Sequence, residues 1–241
     1  LPEGAELPAG RLGWRYDADG LRIQADDFAV RRTDGHGEAS ARLWLPKDGS
    51  SPVLALHADL HAVDMRSTTR FLSATHLPAA TLAWLDAAFV GGEVTEGTID
   101  YAGRMRCFPF RYGGGEFRVR VRTAGARLHY AKGWADLENL VADVDLGSLG
   151  VETRLHSGTV GGLTIANGGG GIPDLREGLL TVSGSTRGDL GRALRLVQSS
   201  PVAPTLGALF NGLSGQGIGQ YEVRLNLPLR DLKRADIDVR A

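Results

Sequence analysis

Three side chains, His57, Asp59 and His61, stand at alternate positions of the sequence. In an extended strand they would share one face, with neighbours about 6–7 Å apart. Two imidazoles and a carboxylate at that spacing could hold a divalent metal, which makes this triad the candidate metal site. The opposite face of such a strand carries Leu54, Leu56, Ala58, Leu60 and Ala62. Whatever lies opposite an apolar face must be polar, so the triad also reads simply as the wet side of a strand. The second reading is preferred, and no metal or cofactor is expected. His36, His76, His129 and His156 are scattered and suggest nothing.

Other chemistry finds less support. Arg118, Arg120 and Arg122 alternate perfectly, with Arg104, Arg106, Arg111 and Arg127 nearby. Such a row could meet phosphate or nucleic acid. No RNP-like aromatic motif accompanies it, and a solvated face balanced by acids is the simpler account. Cys107 adjoins Phe108-Pro109-Phe110, an apolar setting suited to packing rather than to a thiolate nucleophile. It has no second cysteine to pair with, which excludes a disulfide framework and a cysteine-based zinc site. Ser183-Gly184-Ser185 and Leu213-Ser214-Gly215 lack the strand-to-helix elbow of a nucleophilic serine. Gly168 to Gly171 runs into Ile172-Pro173-Asp174 without the Lys and Ser/Thr of a phosphate loop, and reads as a flexible hairpin turn. No catalytic residue emerges, and an enzyme is not expected.

The elements that carry these residues are mostly strands. Leu21, Ile23 and Ala25 alternate with polar neighbours, and Phe28 and Val30 resume with the phase shifted by one. Phe117, Val119 and Val121 do the same against the arginines. So do Leu140, Ala142, Val144 and Leu146, and then Tyr221, Val223, Leu225 and Leu227. One apolar and one polar face per strand is the pattern of an antiparallel sheet covered on one side. Asp19-Gly20, Asp34-Gly35, Asp48-Gly49 and Gly113 to Gly115 supply turns between the runs. Helical spacing predicts two or three short helices, at about 78–90, 189–198 and 204–213, the first stopped by Gly91-Gly92.

Composition agrees. The 241 residues carry 27 basic and 28 acidic side chains, so no overall charge draws the chain to nucleic acid or an anionic membrane. Glycine stands at 34, about twice ordinary usage without a collagen period. Glycine in strands permits bends and coiling of a sheet. The longest apolar run, Leu77 to Val90, is too short to span a membrane. The chain opens Leu-Pro-Glu-Gly with neither initiator Met nor signal pattern, and reads as a soluble piece of something longer. One extended segment over 1–241 is expected, with possible sub-modules 1–75 and 76–241.

From Leu77-Pro78 onward a pattern becomes recognisable. Its parts are Trp84-Leu85, Phe89-Val90-Gly91-Gly92, Gly103, Phe108-Pro109-Phe110, Gly115-Glu116-Phe117, Tyr130 and Gly133-Trp134. Ile172-Pro173-Asp174-Leu175, Ser200-Pro201 and Leu227-Pro228-Leu229 follow. Over roughly residues 50–240 the sequence resembles the AsmA-like periplasmic proteins of the YhdP type. Ala135 stands where a Pro often follows the Gly-Trp pair. The resemblance implies a long taco-like groove of antiparallel strands, apolar inside, in a larger chain anchored in the inner membrane of a Gram-negative bacterium. It further implies phospholipid or another acyl lipid as the partner, carried towards the outer membrane. On that reading Leu54, Leu56, Leu60, Val119, Val121, Val144, Leu146, Val223 and Leu225 would line the groove. Trp84, Phe89, Gly91, Gly92, Phe108, Pro109, Phe110, Tyr130 and Trp134 would be structural. The alternatives are an assembly module that binds protein at strand edges, and a metal-dependent binding domain built on His57, Asp59 and His61.

Overall fold

A computed structural model describes residues 6–67, 79–201, 203, 212–231 and 234–240. Twelve strands dominate: β1 (Glu6–Tyr16), β2 (Gly20–Arg32), β3 (Gly35–Pro46), β4 (Val53–Asp64), β5 (Phe89–Arg104), β6 (Gly115–Leu128), β7 (Leu137–Gly147), β8 (Val151–Val160), β9 (Leu163–Ile172), β10 (Leu179–Asp189), β11 (Ile218–Pro228) and β12 (Asp236–Arg240). Two α-helices are described, α1 (Ala79–Ala88) before β5 and α2 (Leu190–Gln198) after β10. The strands pair in chain order from β1 to β12 in one open sheet, an up-and-down meander without closure. The helix expected at 204–213 lies for the most part outside the described residues.

The chain divides into two compact units. The first takes in the chain through Asp64, with Val94–Arg122 and Asp145–Leu149; the second is Met65–Glu93, Thr123–Val144 and everything from Gly150 onward. In the first unit, β1 to β4 form consecutive hairpins joined by tight turns. The phase shift before Phe28 is a β-bulge. Ala25 pairs with Ala41 and Phe28 with Ala39, so β2 carries one extra residue, and Asp27 sits at φ +56° to absorb it. The bulge returns Phe28 and Val30 to the apolar face.

In the second unit, β8 to β12 continue the same hairpin logic. Val160 pairs with Leu163 across the two-residue loop Gly161-Gly162, both at positive φ, as a twist-compatible hairpin turn requires. Gly168 to Gly171 are not a turn. They lie inside β9, bonded to β8 on one side and β10 on the other. A Cβ on Gly171 would sit 2.4 Å from the Val151 carbonyl oxygen, and on Gly170 2.7 Å from that of Thr181. Close approach of backbones, not flexibility, accounts for this glycine run. Gly91-Gly92 also differ from expectation: α1 ends at Ala88 and both glycines belong to β5. At Gly92 (φ +104°) a Cβ would meet the Ala126 Cα at 2.4 Å.

Candidate functional site

Cross-strand register converts the period-two pattern into rows of apolar side chains. In the first unit one row runs Trp14, Ile23, Leu43, Leu54, and the next runs Leu12, Ala25, Ala41, Leu56. Gly37 and Leu60 pair further along the same face. A sheet face packed under a second layer would bury such rows. Here Trp14 is 74% exposed, Tyr16 69% and Leu12 57%. No large side chain among the described residues is fully buried. This face has apolar side chains and no cover.

At the ends of β5 and β6, aromatic side chains stud the same kind of face. Tyr101 lies 5.2 Å from Phe110 and 6.4 Å from Phe117, ring centre to ring centre, and Phe108 lies 5.3 Å from Phe117. Phe110 is buried despite φ +63°, while Phe108 stays half in solvent. Burial raises the Tyr101 phenol pKa, with Cys107 as a lesser cause. Phe108-Pro109-Phe110 is thereby a plug of rings standing on a strand face.

The opposite face of the first unit is polar and internally neutralised. Arg118 donates to Asp145 (2.9 Å), Arg120 to Asp100 (3.3 Å) and Arg122 to Glu96 (2.8 Å). Arg118 holds Asp145 below the usual carboxylate range. The arginine row is therefore spoken for by acids on neighbouring strands, not laid open for an anion. The triad of His57, Asp59 and His61 divides. His57 Nδ1 lies 2.7 Å from Asp100 and Nε2 lies 3.3 Å from Asp59. Both nitrogens donate only in the imidazolium, and the Asp100 bond raises the His57 pKa. His61 instead stacks on His36, its cross-strand partner, with ring centres 5.5 Å apart. Among the described residues no group of three or more His, Cys, Asp or Glu is placed to hold a metal.

The second unit repeats the apolar rows with a different texture. One row reads Leu155, Gly168, Gly184, Val223, Val239, and another Thr153, Gly170, Val182, Leu225, Ile237. Glycine columns here floor the face, and Val223 and Leu225 flank them half-buried. Nearer the α2 end, Leu140, Leu163, Ile165 and Tyr221 are buried. Val144 and Leu146, like Leu54, Leu56, Leu60, Val119 and Val121, are half-buried. Helix α1 is braced through Trp84, whose indole N–H donates to the Tyr130 carbonyl at 3.0 Å and whose ring meets Phe89. Tyr130 stacks near Trp134 (5.9 Å), and its burial pushes its phenol up to about 12.

Leu12, Trp14, Tyr16 and Leu43 on this face were not picked out from sequence, although Arg11, Gly13 and Arg15 alternate with the first three. For β1 the signal was present as the same alternation that marks β2.

A twelve-stranded open antiparallel sheet carrying rows of apolar side chains, exposed along β1, defines the class of β protein. The chain belongs to the YhdP family, whose sequence profile matches residues 5–241. It is 23% identical over 219 residues to the intermembrane phospholipid transporter YhdP of Escherichia coli (strain K12), which covers 90% of this chain. The chain spans 17% of that relative's length. No solved structure matches it.

Proposed function

We propose that this chain is a segment of a lipid conduit in the periplasm, part of a longer protein anchored in the inner membrane. Its sheet curves into a groove whose apolar face shields phospholipid acyl chains in transit between the two membranes. The groove is lined by Leu54, Leu56, Leu60, Val119, Val121, Val144, Leu146, Val223 and Leu225, joined by Trp14 and Leu43. It is a carrier surface and not an enzyme. The observation that carries this reading is the large exposure of Leu12, Trp14 and Tyr16 on a face that is otherwise uniformly apolar. The transport role named for the E. coli relative supports it. No helix among the described residues is long and apolar enough to cross a membrane.

Each CH₂ removed from water contributes about 0.8 kcal/mol. Rows of similar Leu, Val and Ala offer similar burial at each step, so a tail slides without meeting a deep trap. Photo-crosslinking tests this. With p-benzoylphenylalanine at Val119, the chain should crosslink to acyl tails of phospholipid, and at Arg118 it should not. Equal yields at the two neighbouring positions would contradict the proposal.

A further inference from the structure

The strongest unassigned feature is a recess of about 530 Å³ in the second unit, lined by Ala135, Gly161, Arg192, Arg195, Leu196, Gln198 and Ser199. Helix α2 starts where the Asp189 side chain accepts the Arg192 backbone N–H at 2.9 Å. The helix then lies over the β8–β9 turn. A Cβ on Gly161 would sit 2.9 Å from Leu196, and one on Gly162 2.5 Å from the Arg192 guanidinium. The turn is thus built from residues small enough to seat those two side chains.

Two arginines three residues apart on α2 line this recess together. Arg118, Arg120, Arg122 and Arg127 each have an acidic partner. Among the described residues, neither Arg192 nor Arg195 forms an ion pair. The nearby carboxylates are committed elsewhere. Asp189 caps the helix, and Asp136, next to Ala135, binds Arg127 (2.9 Å) and His129 (2.7 Å), which together hold it below the usual carboxylate range. Two arginines without an ion-pair partner lining one recess suit a phosphodiester, since guanidinium matches phosphate geometry with paired donors. Leu196, Ala135 and Gly161 beside them supply an apolar flank. Charge and apolar surface in one recess fit an amphiphile rather than a free anion.

We propose that Arg192 and Arg195 bind the phosphate of a glycerophospholipid headgroup while its tails enter the apolar rows. The inference rests on the conduit reading and adds the headgroup contact to it. Gln198, the last residue of α2, and Ser199 after it also line the recess.

The test uses water-soluble short-chain lipids on the 241-residue chain, read by isothermal titration. The ligands are dihexanoylphosphatidylglycerol, dihexanoylglycerol (the same tails without phosphate) and inorganic phosphate. The expected result is that the phospholipid binds about tenfold or more tightly than dihexanoylglycerol, a preference of about 1.4 kcal/mol by the affinity relation. Arg192→Gln with Arg195→Gln should abolish that preference and leave dihexanoylglycerol binding unchanged. Arg192→Lys with Arg195→Lys should retain part of it. Circular dichroism confirms the fold of each variant, and Arg118→Gln on the polar face serves as a control that keeps the preference. Equal affinity of the parent chain for the two lipids would overturn the headgroup site and leave the groove standing. So would a glutamine variant that keeps the preference. Inorganic phosphate binding as tightly as the phospholipid would show a free-anion site instead. Binding of neither lipid would overturn the conduit reading and this inference with it.

Discussion

The β1 ends of the first unit's rows and the buried patch on β7 to β11 have the same composition logic and opposite fates. In the first unit, Leu12, Trp14 and Tyr16 stand in water. In the second, Leu140, Leu163, Ile165 and Tyr221 are at most 6% exposed. Alternation alone marks a side chain as belonging to an apolar face; it does not tell whether anything lies upon that face. A covered apolar residue stabilises the fold. An uncovered one does little for folding, and its surface is free for a ligand.

That contrast sets the largest expected effect. Leu163→Asp puts an unpaired carboxylate into a buried position and should cost several kcal/mol, enough to abolish cooperative unfolding near room temperature. Trp14→Asp, made on the exposed row, should shift stability by no more than about 0.5 kcal/mol while reducing lipid binding. Chemical denaturation of the two variants side by side would break the comparison if their losses were equal.

Phe110→Ala comes next. The ring is buried against Tyr101, and the residue keeps its positive φ whichever side chain it carries, so the loss is of packing alone. A cost of about 3–5 kcal/mol is expected. The same change at Phe108, which is 41% exposed, should cost clearly less. Trp84→Phe is smaller again, since it keeps an aromatic ring against Phe89 but leaves the Tyr130 carbonyl without its indole donor. About 1 kcal/mol is expected from thermal unfolding.

The smallest effect concerns the polar face. The Asp100 bond raises the His57 pKa above its ordinary 6.5, so the stabilisation is full below 6.5 and is lost as pH rises through the raised value. Asp100 is held below its ordinary 3.8, chiefly by His57, so its share is present above 3.8 and is lost as pH falls through the lowered value. The difference in Tm between the parent chain and His57→Gln should therefore be greater at pH 5.5 than at pH 8.5. A difference that does not change with pH would show that the pair is idle.

Most strands were legible in the sequence because each kept a strict alternation of Leu, Val or Phe with charged residues, and the phase slip before Phe28 announced its bulge. The half-buried positions from Leu54 to Leu225 were legible for the same reason. The glycine run at 168–171 was misread, because lack of a side chain signals freedom as readily as close approach, and only the neighbouring carbonyl oxygens decide between them. The metal triad looked plausible because same-face spacing says nothing of cross-strand partners; Asp100 and His36, 43 and 25 residues from their histidines in the chain, claim those rings. The arginines of the α2 recess were invisible as a site, since no sequence pattern tells that α2 will fold back over the Gly161-Gly162 turn.

The central claim is that the apolar rows exist to hold acyl chains, and the mass of the gently purified chain tests it most directly. Native mass spectrometry after expression in a bacterial envelope should show the 25.6 kDa chain accompanied by species heavier by one or more phospholipids. Collisional activation should strip that added mass and yield fragments of diacyl lipid. The bare chain mass alone, persisting after incubation with phospholipid vesicles and reisolation, would contradict the account.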